Sequence, residues 1–248
     1  MSTGIGAGIS GVFSLNKGSS FKDLYSVSFD GVDQSLDLDS SPLLGTSGTG
    51  NWSVSLWVNL NALTGASNQR IFSFGVYGNI QTALQCNDSG VLFLSGPWTD
   101  QMSWGGTSGE WRHIVYRVDR TSTTDNVGFV VDGIIYDNKS EDTTGITFDT
   151  AGSGFFGRNA GSFNFAGLLS ESAVWKKYLS DEDCIEIYNG GVPIDLSKST
   201  PSDDLQNWWR MGDPLGQASY PTIIDLIGGN NASMTEMTSA NITTNVPT

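Results

Sequence analysis

Apolar and polar residues alternate along most of this chain with a period of two. Trp52-Ser53-Val54-Ser55-Leu56-Trp57-Val58 is the cleanest stretch: Trp52, Val54, Leu56 and Val58 fall on one face. Such a pattern predicts a strand that lays one face on a core. Ser26–Phe29 and Ser35–Leu38 alternate likewise around Asp30-Gly31-Val32-Asp33, and Val127–Val131 and Ile134–Tyr136 flank Asp132-Gly133. Both pairs read as hairpins closed on an Asp-Gly turn. Further strands are expected at Arg70–Gly75, Thr82–Leu84, Val91–Leu94, Trp111–Val118, Gly154–Gly157 and Gly167–Trp175. Leu205–Asp213 resumes the pattern, and two short strands close it around Thr222–Leu226 and Ala232–Met237.

One segment breaks the alternation. Ser180 can cap a helix whose first turn holds Asp181, Glu182 and Asp183, where the helix dipole favours acids. Cys184, Ile187 and Tyr188 give it an apolar stripe, and Gly190-Gly191 ends it. Many short strands and one short helix predict an all-β fold, a two-sheet antiparallel jelly-roll sandwich over residues 23–248. Trp208 and Trp209 cannot both face inward on one strand, so one of them is expected to meet the arm or a neighbour.

Residues 1–22 form a Gly/Ser-rich N-terminal arm. Glycine loses much entropy on ordering, so the arm has little reason to fold alone. Ile5, Ile9, Val12, Phe13 and Leu15 are its expected anchors on an assembly partner; the alternative is packing on its own sandwich.

The net charge of −14 narrows the partners. It repels phosphate backbones and anionic lipid, so neither nucleic acid nor membrane insertion is expected. The N-terminus lacks a basic segment followed by an apolar run, and no stretch of about 18 apolar residues occurs. The chain is therefore expected to mature in a cytoplasm without Sec secretion. Cys86, Cys184 and the single histidine, His113, match no zinc spacing and no Cys/His nucleophile pair. Two buried free thiols are expected.

The order of the pieces resembles the laminin-G/concanavalin-A-like lectin superfamily in its pentraxin-like branch. Seven segments carry the resemblance: Phe29-Asp30-Gly31-x-Asp33, Ser53–Val58, Trp111-x-His113-Ile114, Val131-Asp132-Gly133, Phe156-Gly157-Arg158, Phe165–Trp175, and the helix before Tyr188-Asn189-Gly190-Gly191. The tail from Trp208 to Met237 is similar to tails of such domains in phage and environmental viral proteins. With the Gly-rich arm and the missing signal peptide, this implies a non-enzymatic virion structural or decoration protein in a capsid, fibre, spike or tail. Its partners would be other virion proteins and copies of itself, assembled in host cytoplasm. The alternative is a carbohydrate-binding adhesion module, and the second alternative a glycan-cleaving enzyme.

The resemblance also implies a calcium site at the sandwich rim. The matching positions are Asp30, Asp33 and Glu171, with the carbonyl of Gly31; calcium takes six to eight oxygens, which an Asp-rich turn can supply in part. The competing account is that Asp in an Asp-Gly turn bonds its own backbone. Sugar binding would use loop aromatics, and Trp98 and Trp104 lie in a Gly/Ser/Thr-rich stretch suited to it. Trp52, Trp57, Trp111 and Trp175 read as core. Glycosidases need paired carboxylates. The nearest pattern, Asp181-x-Asp183-x-x-Glu186, sits in the helix, and Trp52–Val58, Arg112–Val118 and Val127–Val131 carry no acid. Catalysis is not expected.

Overall fold

The computed structural model describes residues 21–42, 50–61, 68–75, 82–87, 91–95, 101–103, 108–143, 154–158, 163–212 and 220–248. The arm anchors Ile5, Ile9, Val12, Phe13 and Leu15 lie outside these residues, as do Trp98 and Trp104.

The period-two segments become strands β1 (Ser26–Asp30), β2 (Ser35–Leu38), β3 (Trp52–Leu60), β4 (Gln69–Phe74), β5 (Thr82–Cys86) and β6 (Val91–Ser95). They continue as β7 (Gln101–Ser103), β8 (Trp111–Val118), β9 (Val127–Val131), β10 (Ile134–Lys139), β11 (Gly154–Phe156) and β12 (Ala166–Trp175). Helix α1 (Asp181–Tyr188) follows, then β13 (Leu205–Trp209), β14 (Thr222–Ile223), β15 (Ala232–Thr235) and β16 (Ile242–Thr243). One antiparallel sheet runs β10-β9-β8-β3-β12-β1-β16, and β13 adds to β12. The other runs β14-β15-β2-β11-β4-β5-β6-β7. This is the expected jelly-roll sandwich.

The main core fills the space between the sheets. Trp52, Val54, Leu56 and Val58 all join it from one face of β3, with Phe72 and Phe74 from β4, as the alternation requires. Each such side chain, fully buried, contributes about 1.5–3 kcal/mol.

A second apolar cluster covers the outer face of the first sheet. Val115, Val130, Ala173 and Trp175 meet Cys184 and Ile187 of α1 and Leu196 of a short 3-10 helix, Leu196–Lys198. Helix α1 starts on a capping box: Ser180 Oγ accepts the Asp183 backbone N–H at 3.1 Å, and Asp183 Oδ2 accepts that of Ser180 at 2.9 Å. Burial alone would raise the Asp183 carboxyl, but Lys177 and the Ser180 bonds outweigh it and hold the group below its ordinary range. Asn189, in the left-handed region at φ 48°, ends the helix.

The helical layer explains which face each tryptophan takes. Trp209 enters the main core, while Trp208, one residue earlier, turns to the outer cluster. Its ring stacks on Phe21 at 6.1 Å, and the Arg210 guanidinium lies 4.2 Å from the Phe21 ring centroid. Arg210 also donates to the Lys22 carbonyl at 2.8 Å. Phe21 and Lys22, which composition assigned to the arm, therefore pack on the sandwich. Trp57 faces His113 and Tyr188 under the helix. Burial pushes His113 down to about 3, so it stays neutral at ordinary pH. Trp52, Trp57 and Trp175 are buried as expected. Trp111 is only half-buried and donates to Asn245 Oδ1 at 3.1 Å, because it lies at the start of its strand.

Candidate functional site

A rim pocket is built where β13 begins. Strand β13 pairs with β12 so that Leu205 faces Trp175 and Asn207 faces Val174. This brings Leu205, Gln206 and Asn207 to the same end as Lys176, whose backbone N–H donates to the Asp204 carbonyl at 2.8 Å. The chain leaving β2 arrives from the other sheet. There the Ser40 N–H donates to Asn230 Oδ1 and the Asn230 amide donates to the Ser40 carbonyl, both at 2.9 Å. The cavity between these segments has a volume of about 430 Å³. That lies within the range of small-ligand sites. Ser41, Pro42, Gln206, Asn207, Ile227 and Lys176 are prominent in its lining.

Asp225 organises this wall from behind. Its carboxylate accepts four hydrogen bonds: from the Asn207 amide at 2.6 Å and from the backbone N–H groups of Trp208 at 2.8 Å, Asn230 at 2.9 Å and Ile227 at 3.1 Å. The Asx-type turn that results folds residues 225–230 over Asn207. Gly228 sits where a Cβ would run into the Asn207 amide nitrogen and the Gln206 carbonyl, so the turn needs glycine there for space.

Each of the two amides in the wall is anchored through its nitrogen. Asn207 Nδ2 is held by Asp225, and Gln206 Nε2 donates to the Pro42 carbonyl at 2.7 Å. Ser41 Oγ, Gln206 Oε1 and Asn207 Oδ1 are buried and have no hydrogen-bond partner. A buried polar group left unpaired costs about 1–3 kcal/mol. All three belong to residues that also line the cavity.

The four positions expected to share a calcium ion are not brought together. The first Asp-Gly turn does not close the expected hairpin: β1 and β2 belong to different sheets, and Asp30 begins the turn that crosses between them, where its Oδ1 accepts the Val32 N–H at 2.8 Å and Gly31 takes φ +79°. Asp33 is exposed in the same turn. Glu171 lies elsewhere: Asp30 pairs with Ala166, and Glu171 is five residues further along β12. At the rise of an extended strand that is about 16 Å. Glu171 is buried, accepts from Trp208 Nε1 at 2.7 Å and Arg210 Nε at 3.0 Å, and adopts φ 44° at a break in the β12 ladder. Burial, with the neighbouring Asp23 carboxylate, pushes it up to about 8. Among the described residues no three His, Cys, Asp or Glu side chains gather as a metal site would require.

Sequence reasoning missed the rim pocket. Thr222–Leu226 reads as a strand, and nothing in the alternation shows that Asp225 would turn to cradle Asn207. The signal available was Gly228-Gly229-Asn230-Asn231, a turn cluster directly after it.

A sequence model of the laminin-G type, described as the Concanavalin A-like lectin/glucanases superfamily, matches residues 30–184. No curated protein matches the chain. Among solved structures, a candidate carbohydrate binding protein from Bacteroides ovatus ATCC 8483 superposes with a TM-score of 0.69 at 17% identity. The match covers 92% of this chain and 62% of that one, so this chain spans less than two thirds of its length. The CBM40 of a Ruminococcus gnavus IT-sialidase, bound to α2,3-sialyllactose, superposes at 0.51 with 11% identity, over 68% of this chain and all of that one. The binding domain of botulinum neurotoxin DC, in complex with rat synaptotagmin II, does so at 0.51 with 15% identity, over 69% and 46%. At these identities the likeness is one of fold. Neither the described residues nor these structures offer support for the expected virion role.

Proposed function

Because the chain belongs to the concanavalin A-like lectin/glucanases superfamily, we propose that it is a non-catalytic carbohydrate-binding module whose ligand enters the rim pocket at Gln206 and Asn207. The observation that carries this reading is a cavity of about 430 Å³ at the sandwich rim whose lining sets the polar residues Ser41, Gln206 and Asn207 beside Pro42, Leu205 and Ile227. Sugar hydroxyls both donate and accept, as the hydroxyl and amide groups of such a lining do. Pro42, Leu205 and Ile227 provide apolar surface for the C–H faces of a ring.

A binding role suits the chemistry better than hydrolysis. Glycoside cleavage takes two carboxylates flanking the bond, one free to give a proton and one to attack or activate water. No described lining residue of the pocket is an acid, and Asp225 behind it is saturated by four donors.

Glycan-array binding with the full chain tests the proposal. Retention of at least one glycan class is expected, weakened at least tenfold by Gln206→Ala and without release of reducing sugar. An array with no retained glycan, or binding that Gln206→Ala leaves untouched, overturns it.

A further inference from the structure

Sugar binding makes no use of the buried acid that lies beneath residues 21–25. We propose that these residues form a pH-sensitive strap, closed over Trp208 while Glu171 keeps its proton and released as Glu171 ionises.

Side chains tie the strap to the sandwich. Residues 21–25 run outside every described strand, with Phe21, Asp23 and Tyr25 half-buried and Lys22 and Leu24 exposed. Phe21 stacks on Trp208 at 6.1 Å and lies 4.2 Å from the Arg210 guanidinium, which donates from Nη2 to the Lys22 carbonyl at 2.8 Å. Ser170 Oγ donates to Asp23 Oδ2 at 2.7 Å and stands 3.3 Å from the Tyr25 carbonyl. A segment held in this way opens at a lower cost than a strand inside a ladder, because fewer contacts break together.

Glu171 is the hub under these ties. Its Oε2 accepts Trp208 Nε1 at 2.7 Å and its Oε1 accepts Arg210 Nε at 3.0 Å, so it orients both groups on which Phe21 and Lys22 rest. Its chain neighbour, Ser170, holds Asp23. The groups that face Glu171 are the Asp23 carboxylate from the strap, the Trp208 indole on β13 and the Arg210 guanidinium just beyond β13.

The direction of coupling follows from that cluster. Burial first, and then the Asp23 carboxylate, push the Glu171 carboxyl up to about 8, against the opposing pull of Arg210 and Trp208. With the strap lifted, water reaches Glu171 and Asp23 moves away, so both causes weaken and the carboxyl returns towards its ordinary 4.5. The closed form therefore holds the proton more tightly than the open one. Its advantage is complete below the open-form value and is lost as pH rises through that of the closed form.

Tryptic cleavage after Lys22 in the full chain reads the open fraction. The Lys22 side chain is exposed but its carbonyl is held by Arg210, so cutting requires the strap to lift. Each rate is divided by that on a free peptide of the same sequence at the same pH. Circular dichroism at each pH confirms that the sandwich stays folded. The normalised rate is expected to rise at least tenfold from pH 6 to pH 9. Asp23→Asn, which keeps an acceptor for Ser170 and removes the like charge, should shrink that rise at least threefold. Glu171→Gln cannot ionise, so its normalised rate should be the same at both pH values, whatever its level. A parent rate that does not change with pH, or a rise that Glu171→Gln retains, overturns the proposal. If Glu171→Gln fails to fold, the Trp208 indole N–H resonance of the parent decides. It should shift together with the Asp23 amide between pH 6 and pH 9, and a resonance that stays fixed overturns the proposal equally.

Discussion

Glu171 accepts the Nε–H of Arg210 at 3.0 Å, with both side chains buried beside Trp208. One guanidinium here faces two carboxylates, since Asp23 adjoins Glu171. Burial is the main reason that Glu171 is pushed up from 4.5 to about 8, and the half-buried Asp23 carboxylate adds to it. An acid whose folded pKa lies above its unfolded value stabilises fully below the unfolded value. That contribution is lost as pH rises through the folded one. Stability should therefore fall between about pH 5 and pH 9, and Glu171→Gln, which keeps one of the two acceptor oxygens, should flatten the slope. Calorimetric melting across this range checks it; equal slopes in the two proteins would rule out Glu171 as the source.

The cysteines should be inert in the native protein. Cys86 lies in the inter-sheet core and Cys184 in the outer cluster, so no disulfide joins them. Burial pushes each thiol up to about 12. Because the thiolate is the reactive form, a thiol reagent at pH 8 should label neither residue until denaturant is added. Rapid native labelling of either would show that its layer opens locally.

Much of the fold was legible because burial in a sandwich writes itself as period two. Trp52, Val54, Leu56 and Val58 needed only their spacing, and Ser180 with Asp183 announced the helix start. The second apolar layer was half legible: one of Trp208 and Trp209 had to face away from the main core, but not that Phe21 would meet it. The site was not legible. Asn207 and Asp225 are 18 residues apart, and their bond depends on a turn whose path no periodicity encodes. Glu171 misled for a related reason: in sequence it is a late-strand acid suited to a rim, and only the β1–β12 register separates it from Asp30.

The helix cap offers a stability test. Ser180→Ala removes the acceptor for the Asp183 N–H, and cap losses of this kind cost about 1 kcal/mol. For a chain of this size that is about 2–4 °C in Tm. Asp183→Ala keeps the backbone N–H that Ser180 accepts but should cost more, because it breaks both the 2.8 Å ion pair with Lys177 and the bond from the Ser180 N–H. Melting of both variants at pH 7 checks the order; Asp183→Ala no worse than Ser180→Ala would show that the ion pair adds nothing.

Gly228 connects stability to binding. A methyl group at this position meets the Asn207 amide nitrogen, the Gln206 carbonyl and Asp225 Oδ2, so either the turn or the Asn207 side chain must move. The bond most exposed to this change is the 2.6 Å contact between Asn207 and Asp225. Without it the Asn207 side chain is free to move, and the lining of the pocket changes. Gly228→Ala should therefore lower Tm by a few degrees and weaken sugar binding by about tenfold or more, about 1.4 kcal/mol. Gly229 separates this effect from a general one: it takes φ +71° in the same turn, but a Cβ there meets nothing within 4 Å. Gly229→Ala should thus strain the backbone and lower Tm while sparing affinity. Titration and melting of the two variants side by side decide the matter. If Gly228→Ala melts lower yet binds sugar as the parent does, the Asn207 amide is not part of the binding wall.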